Sequence, residues 1–433
     1  MSIAERSEAR PRPVAISRLA SPSIALALFA LVAIGPIVAD VTAQPVSRYA
    51  ATAAYAEHGS VDLTPYAPIL GIDKAAYRGE LRSDKAPGQP VLGVPVYLVG
   101  RALGFEPASR MRIRGDLGVW WQTLWGAMLP FVALLVLMHR AAARVAPRSA
   151  LAATLALGFG TLMLPHAANL YGHTMAALFA FGAWIVLDGS EGSRRRLALA
   201  GCIAGCAFAV EYHTAIVGVA LFAFGAVRWH RRVGWFGVGF APPVLFTAVY
   251  QTIAFGRPWH LAYSYLVSRS IGGQYGVPTI HQLTDVILGA HGLVLTSPIL
   301  IVAVAGAGIT AARSSGWLRG HCLLALAVFL PYFVLAVGWS GTPLLEQPGP
   351  RYLIPALPFL AVPLAVVWAR FRSLACICAA WGVAVMGAGA LTMHLVVAGE
   401  EPFALYLGQV ARGEFNPTLW SMTFGRAGGL LYV

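Results

Sequence analysis

Asp84 and Lys85 stand side by side in "LRSDKAPGQP" (81–90), directly before the apolar run "VLGVPVYLVG" (91–100). Lysine is otherwise almost absent: Lys74 and Lys85 are the only two, against 29 arginines. Both fall between the first two strongly apolar blocks. An ammonium at such a boundary can hold an anionic headgroup as a point charge where neighbouring segments exclude water. Arg82 is near enough in sequence to reinforce it. A simpler use of the same residues is a local Asp84–Lys85 ion pair on a solvated loop, which would be worth little.

Other residues invite comparable chemistry. Asp40 directly follows the first apolar block. Arg48 and Tyr49 lie in "SRYA", where they either contact substrate or anchor a surface helix. His173 follows "NLYG" at the start of an apolar block, a place where a lone histidine is often merely interfacial; His166 is a weaker candidate. Glu211 ends the run "GCIAGCAFAV". An acid at that depth is costly unless it is paired or faces a polar cavity, where it would hold substrate or a metal. Arg351 and Tyr352 follow "EQPGP" and suit either a phosphate contact or an interfacial anchor. His260, His281 and His291 have no ligand spacing, so no zinc site is proposed from them. The five cysteines (Cys202, Cys206, Cys322, Cys376, Cys378) sit in or beside apolar blocks as small packing residues. No metal motif and no nucleotide-binding loop is present. The cofactor is unknown, and a divalent cation is compatible with the reading.

The elements that must position these residues are set by composition. The chain has 433 residues, 58% hydrophobic and 11% charged, with a mean hydropathy of +0.68. Apolar blocks of about 20 residues recur, each long enough to cross a bilayer as a helix. The expected fold is an all-α polytopic transmembrane protein of about eleven spans, near 22–39, 118–138, 149–165, 173–188, 197–211, 213–228, 234–254, 292–312, 321–338, 353–370 and 373–396. The gaps "HRAAARVAPR", "DGSEGSRRR", "RWHRR", "ARSSGWLRG" and "ARFR" are rich in arginine and alternate with gaps that are not. The bias of positive charge toward the cytoplasm then puts the N-terminus inside and the C-terminus outside. It also explains the net charge of +13 without nucleic acid, since no basic patch is interleaved with aromatics.

With that orientation Glu5, Glu8, Asp188 and Glu191 are cytoplasmic and the other acids are external, so chemistry is expected outside. The domain reading is a cytoplasmic arm (1–21), a transmembrane domain (22–396) and an external tail (397–433). The first outer loop (40–117) carries "SRYAATAAYAEHG", a helix with Ser47 as cap and Gly59 as stop. Its "VLGVPVYLVGRALG" is too short to cross and is expected to lie flat at the interface. The second large outer loop covers 255–290. "GCIAGC" sets Gly201, Ala204 and Gly205 where helices can approach closely.

The ordered series of motifs resembles the GT-C superfamily of integral-membrane glycosyltransferases, in the branch of the protein mannosyltransferases and the aminoarabinose transferases of lipid A. The pieces that carry the resemblance are "SRYA", "SDKAPGQPVLGVPVY", "NLYGHTMAALFAF", "SPILIVAVAG" and "GPRYLIPALPFLAVPLA". It implies transfer of a sugar from a polyprenyl-phosphate-linked donor to an acceptor on the outer face of the bacterial inner membrane. The acceptor would be a cell-envelope glycan, lipid or protein. Asp40 is the implied catalytic base. Arg48, Tyr49, Asp84, Lys85, His173, Glu211, Arg351 and Tyr352 are the implied substrate-binding set. One departure stands out: the aminoarabinose transferases have an acid where this chain has Pro45, three residues before Arg48. Two other readings remain open. One is a transporter or flippase for a lipid-linked or anionic substrate, with a helix broken at Pro242–Pro243; the other is a GT-C relative without catalysis.

Overall fold

The computed structural model describes residues 16–267, 276–338, 349–392 and 402–424. The N-terminal arm to residue 15, part of the second loop (268–275) and residues 339–348, 393–401 and 425–433 lie outside the described residues.

The protein is mostly helical. Among the described residues four helices are long and apolar enough to cross a membrane: Leu117–Ala143, Tyr212–Phe255, Gly316–Val337 and Arg372–Thr392. Ile280–Thr296 and Ile299–Arg313, bent by 100° at their junction, make a fifth if taken together. The expected eleven are not reached by this measure, and the reason is local. The block 149–165 breaks into Ala150–Phe159 and Met163–Ala167, and the block from 353 begins as a 3-10 helix, Arg351–Leu360, containing Pro355 and Pro358. Pro22–Ile34 and His173–Asp188 are apolar but short.

The Tyr212–Phe255 stretch is itself two segments. A Cβ on Gly218 would stand 3.0 Å from the Phe240 ring, whereas residues so far apart on one straight helix are separated by about 33 Å. The chain therefore folds back at His230, whose φ is +48°. Within the second segment, Gly234–Phe255, the helix runs through Pro242 and Pro243 without a break. The helix interruption invoked for a transporter is thus absent from that position.

Small residues bring helices together as expected. A Cβ on Gly201 would run into the Phe236 carbonyl, and one on Gly239 into that of Ala198. The Arg194–Val210 and Gly234–Phe255 helices therefore touch backbone to backbone. At one end of the bundle the arginine-rich gaps meet. Buried Asp188 accepts from Trp317 Nε1 at 2.9 Å and lies 3.8 Å from Arg144 and 4.0 Å from Arg228.

The segment after the first helix, α1 (Ile16–Ile34), builds a small subdomain. Helix α2 (Ala43–His58) starts upstream of the expected cap. Pro45 sits in its first turn, where a missing N–H costs nothing. Gly59 ends it with φ +60°, donating back to Tyr55 O. Ser47 is not the cap; its hydroxyl is spent elsewhere, as described below.

The all-α expectation needs a correction here, because strands β1 (Lys74–Tyr77) and β2 (Glu80–Ser83) pair antiparallel with Tyr77 opposite Glu80. Their two-residue turn has positive φ at both Arg78 (53°) and Gly79 (85°), the backbone twist that tight hairpins prefer. Leu266 of the second loop bridges to Ala75. Helix α3 (Gly88–Ala102) follows, with Val91, Leu92, Leu98 and Val99 exposed and Tyr97 buried, the two-faced pattern expected of an interfacial helix.

Candidate functional site

Hairpin β1–β2 ends on Asp84 and Lys85, and α3 begins three residues later. A Cβ on Gly88 would stand 2.6 Å from the Ala209 carbonyl and 2.8 Å from the Val210 nitrogen. That glycine lets the start of α3 press on the last turn of the Arg194–Val210 helix, which ends at Glu211. Residues distant in sequence are drawn together by this contact.

On the hairpin side, Lys85 Nζ lies 2.7 Å from Asp84 Oδ2 and 3.4 Å from Asp73 Oδ1. Ser47 Oγ donates to Asp84 Oδ1 at 3.3 Å and lies 3.0 Å from Ser83 Oγ. All three charged residues are buried, so this is not the solvated ion pair weighed above. Burial pushes the Asp84 carboxyl up, with the Lys85 charge opposing it. Burial alone would push Lys85 down, but Asp73 and Asp84 more than reverse this and keep its ammonium charged.

Beside it, Arg48 Nη2 donates to Glu211 Oε1 at 2.5 Å. The extended backbone of Glu211 (φ −145°, ψ 112°) interrupts the helix and turns the carboxylate inward. His173 Nδ1 lies 3.7 Å from Glu211 Oε1, and His213 Nε2 lies 3.7 Å from Glu211 Oε2. Tyr352 stands edge-on to His213 with ring centroids 5.1 Å apart. Arg351 lies in the field of Tyr171, Asp73 and Glu211. Gly172 makes room for the arrangement: a Cβ there would collide with the Glu211 carboxylate and stand 2.9 Å from Arg48 Nη1.

Arg48 also lines a cavity of about 200 Å³ between α2, α3 and the Leu117–Ala143 helix. Its walls are largely apolar, with Pro90, Leu92, Val96, Trp125, Leu170 and Met175, and Gln89 and Gln122 add polar edges. The helix beside it carries a π-turn at Leu124–Met128, a distortion frequent at functional sites.

Of the residues singled out from the sequence, Arg48, Asp84, Lys85, His173, Glu211, Arg351 and Tyr352 belong to this one neighbourhood. Tyr49 does not. It points to the opposite side of α2 and packs at 5.6 Å from the Tyr97 ring in the subdomain core. Asp40 has different neighbours: its backbone N–H meets Asn416 Oδ1 at 3.4 Å, and its carboxylate lies 3.9 Å from Arg114 Nε. Asp73, His213 and Tyr332 were missed. His213 follows Glu211 at a spacing of two, a signal that was available; Asp73 carried none, because only the hairpin brings it to Lys85. Among the described residues, His173, Glu211 and His213 form a group able to hold a metal ion, with donor atoms all within 4.8 Å of one another.

No protein-family model and no curated protein matches this sequence. Among solved structures, the chain is similar to ArnT from Cupriavidus metallidurans bound to undecaprenyl phosphate. The identity is 15% and the TM-score 0.52, covering 92% of this chain and 69% of that one. The apo state of ArnT from the same organism gives 16% identity and a TM-score of 0.52, covering 93% and 70%. At such identity the likeness is one of fold alone, and the fold shared is that of ArnT.

Proposed function

We propose that this protein transfers a sugar from a polyprenyl-phosphate-linked donor to a cell-envelope acceptor, working at the outer face of the bacterial inner membrane. One observation carries the reading. Arg48 Nε, Arg48 Nη1 and Arg351 Nε are buried without a hydrogen-bond partner among the described residues. Buried donors of this kind call for an acceptor. A lipid-linked phosphate supplies anionic oxygens for them and a tail for the apolar cavity at Arg48. ArnT of Cupriavidus metallidurans, which has the same fold, was solved with such a lipid.

In the proposed reaction the acceptor hydroxyl oxygen attacks the anomeric carbon of the sugar. The bond from that carbon to the phosphate oxygen breaks, and polyprenyl phosphate leaves with the electron pair. A single displacement inverts the anomeric centre. Lys85, Arg48 and Arg351 stabilise the leaving phosphate, which needs charge neutralisation more than a proton. Asp40 accepts the hydroxyl proton. Asp73, Asp84 and Glu211 are each held by Lys85 or Arg48 and serve those cations instead. Asp84 and Ser47 orient Lys85; Tyr352 and His173 line the sugar side.

A GT-C relative that binds the carrier without catalysis is the second reading, favoured by Pro45 at the family's acid position. Binding is tested by titrating the purified protein with undecaprenyl phosphate. Lys85→Met should bind about tenfold to a hundredfold more weakly, the worth of a charged contact, and Lys85→Arg should recover part of the loss. Equal affinity in wild type and Lys85→Met would remove Lys85 from the site.

A further inference from the structure

We infer that His173, Glu211 and His213 bind a divalent metal ion of the class that prefers imidazole nitrogen with one carboxylate, such as Zn2+. The proposal goes beyond sugar transfer, since a metal can occupy this group whether or not the chain is a transferase.

Hydrogen bonding at His213 fixes where its lone pair points. The Tyr332 hydroxyl donates to the His213 carbonyl at 3.1 Å. Its oxygen is therefore left to accept from His213 Nδ1, 3.3 Å away. The proton on Nδ1 makes Nε2 the unprotonated nitrogen of a neutral ring. Nε2 then faces Glu211 Oε2 at 3.7 Å, acceptor against acceptor, with no hydrogen-bond partner among the described residues.

His173 repeats the pattern. Neither ring nitrogen has a hydrogen-bond partner among the described residues, its side chain is 2% exposed, and Nδ1 lies 3.7 Å from Glu211 Oε1. Two imidazoles thus flank one buried carboxylate, whose Oε1 also accepts from Arg48. A cation accepting both lone pairs and one carboxylate oxygen satisfies all three at once. Donors in a tetrahedral zinc site stand about 3.4 Å apart; the three ligand atoms here lie within 4.8 Å of one another, so side-chain rotations draw them onto one ion.

The surroundings serve the same end. Tyr332 orients the His213 ring as an outer hydrogen-bonding partner does in metal sites. Arg48 holds the carboxylate through Oε1, the oxygen that also faces His173. Three protein ligands leave a fourth position open, and with the Arg48 guanidinium beside it that position suits an anionic oxygen.

The test uses the full chain, purified in detergent without a histidine tag and stripped by a chelator. Titration with Zn2+, and with Co2+ followed by its visible absorption, should show one equivalent bound with a tetrahedral spectrum. His173→Ala and His213→Ala should each lower the affinity by more than about tenfold. His281→Ala should leave it unchanged, since His281 pairs with Asp285 on an exposed helix. Zinc should also raise the melting temperature of the wild type but not of His173→Ala, a comparison that stands even where one ligand variant fails to fold. Unaltered affinity in both histidine variants, or no zinc-dependent stabilisation of the wild type, would overturn the assignment.

Discussion

Arg48 donates to Glu211 at 2.5 Å across 163 positions of the chain. This pair ties α2, in the segment after the first apolar helix, to the break between two later apolar helices. Arg48 is 1% exposed and Glu211 7%, so neither charge can fall back on solvent. Removing one partner from a buried pair costs about 3–5 kcal/mol, whereas replacing both is often neutral. Arg48→Met and Glu211→Gln should each lower the melting temperature of the detergent-solubilised protein. The double variant should lose much less than the sum. Strictly additive losses would show that the two residues are not coupled.

Gly172 offers a sharper probe of the same neighbourhood. Alanine there must displace Glu211 or Arg48, so Gly172→Ala should destabilise by about 1–3 kcal/mol, as overpacking does. Gly237 lies in a helix, and a Cβ there meets nothing within 4 Å. Gly237→Ala should be neutral or stabilise by up to about 1 kcal/mol. Thermal unfolding of the two variants side by side checks the contrast.

How much of this was legible in the residues depends on distance along the chain. Asp84 and Lys85 could be seen to matter because they are adjacent and because lysine is so scarce. The end of α2 was readable from Gly59. Its start was not, since Ser47 read as the cap, whereas the helix already begins at Ala43 with Pro45 harmless in its first turn. The hairpin was hidden because "KAAYRGELRS" lacks the β-branched alternation of a typical strand; its positive-φ turn at Arg78–Gly79 is held by pairing. Asp73 could not be linked to Lys85 before that hairpin was known. Tyr49 was misleading for the opposite reason: it neighbours Arg48 in sequence, but on a helix adjacent residues project about 100° apart. Hydropathy located the apolar blocks but could not tell a straight span from one broken at Gly160 or wound as a 3-10 helix over Pro355 and Pro358.

The orientation inferred from arginine placement has its own test. In a cysteine-free background, Arg110→Cys places a thiol on an exposed part of the first loop, and Arg196→Cys places one in an arginine-rich gap. A membrane-impermeant maleimide should label the first in intact cells and the second only after permeabilisation. The reverse pattern would put the Lys85 pocket in the cytosol and end the proposal as it stands.

The central claim is that a sugar leaves a lipid phosphate at this site, and the fate of labelled sugar tests it most directly. Membrane vesicles bearing the wild-type chain would be supplied with radiolabelled polyprenyl-phosphate sugars. The label should leave the carrier for a new product, and Asp40→Asn should abolish this while insertion is unchanged. Label that crosses the vesicle membrane still joined to its carrier would contradict transfer and identify a transporter instead.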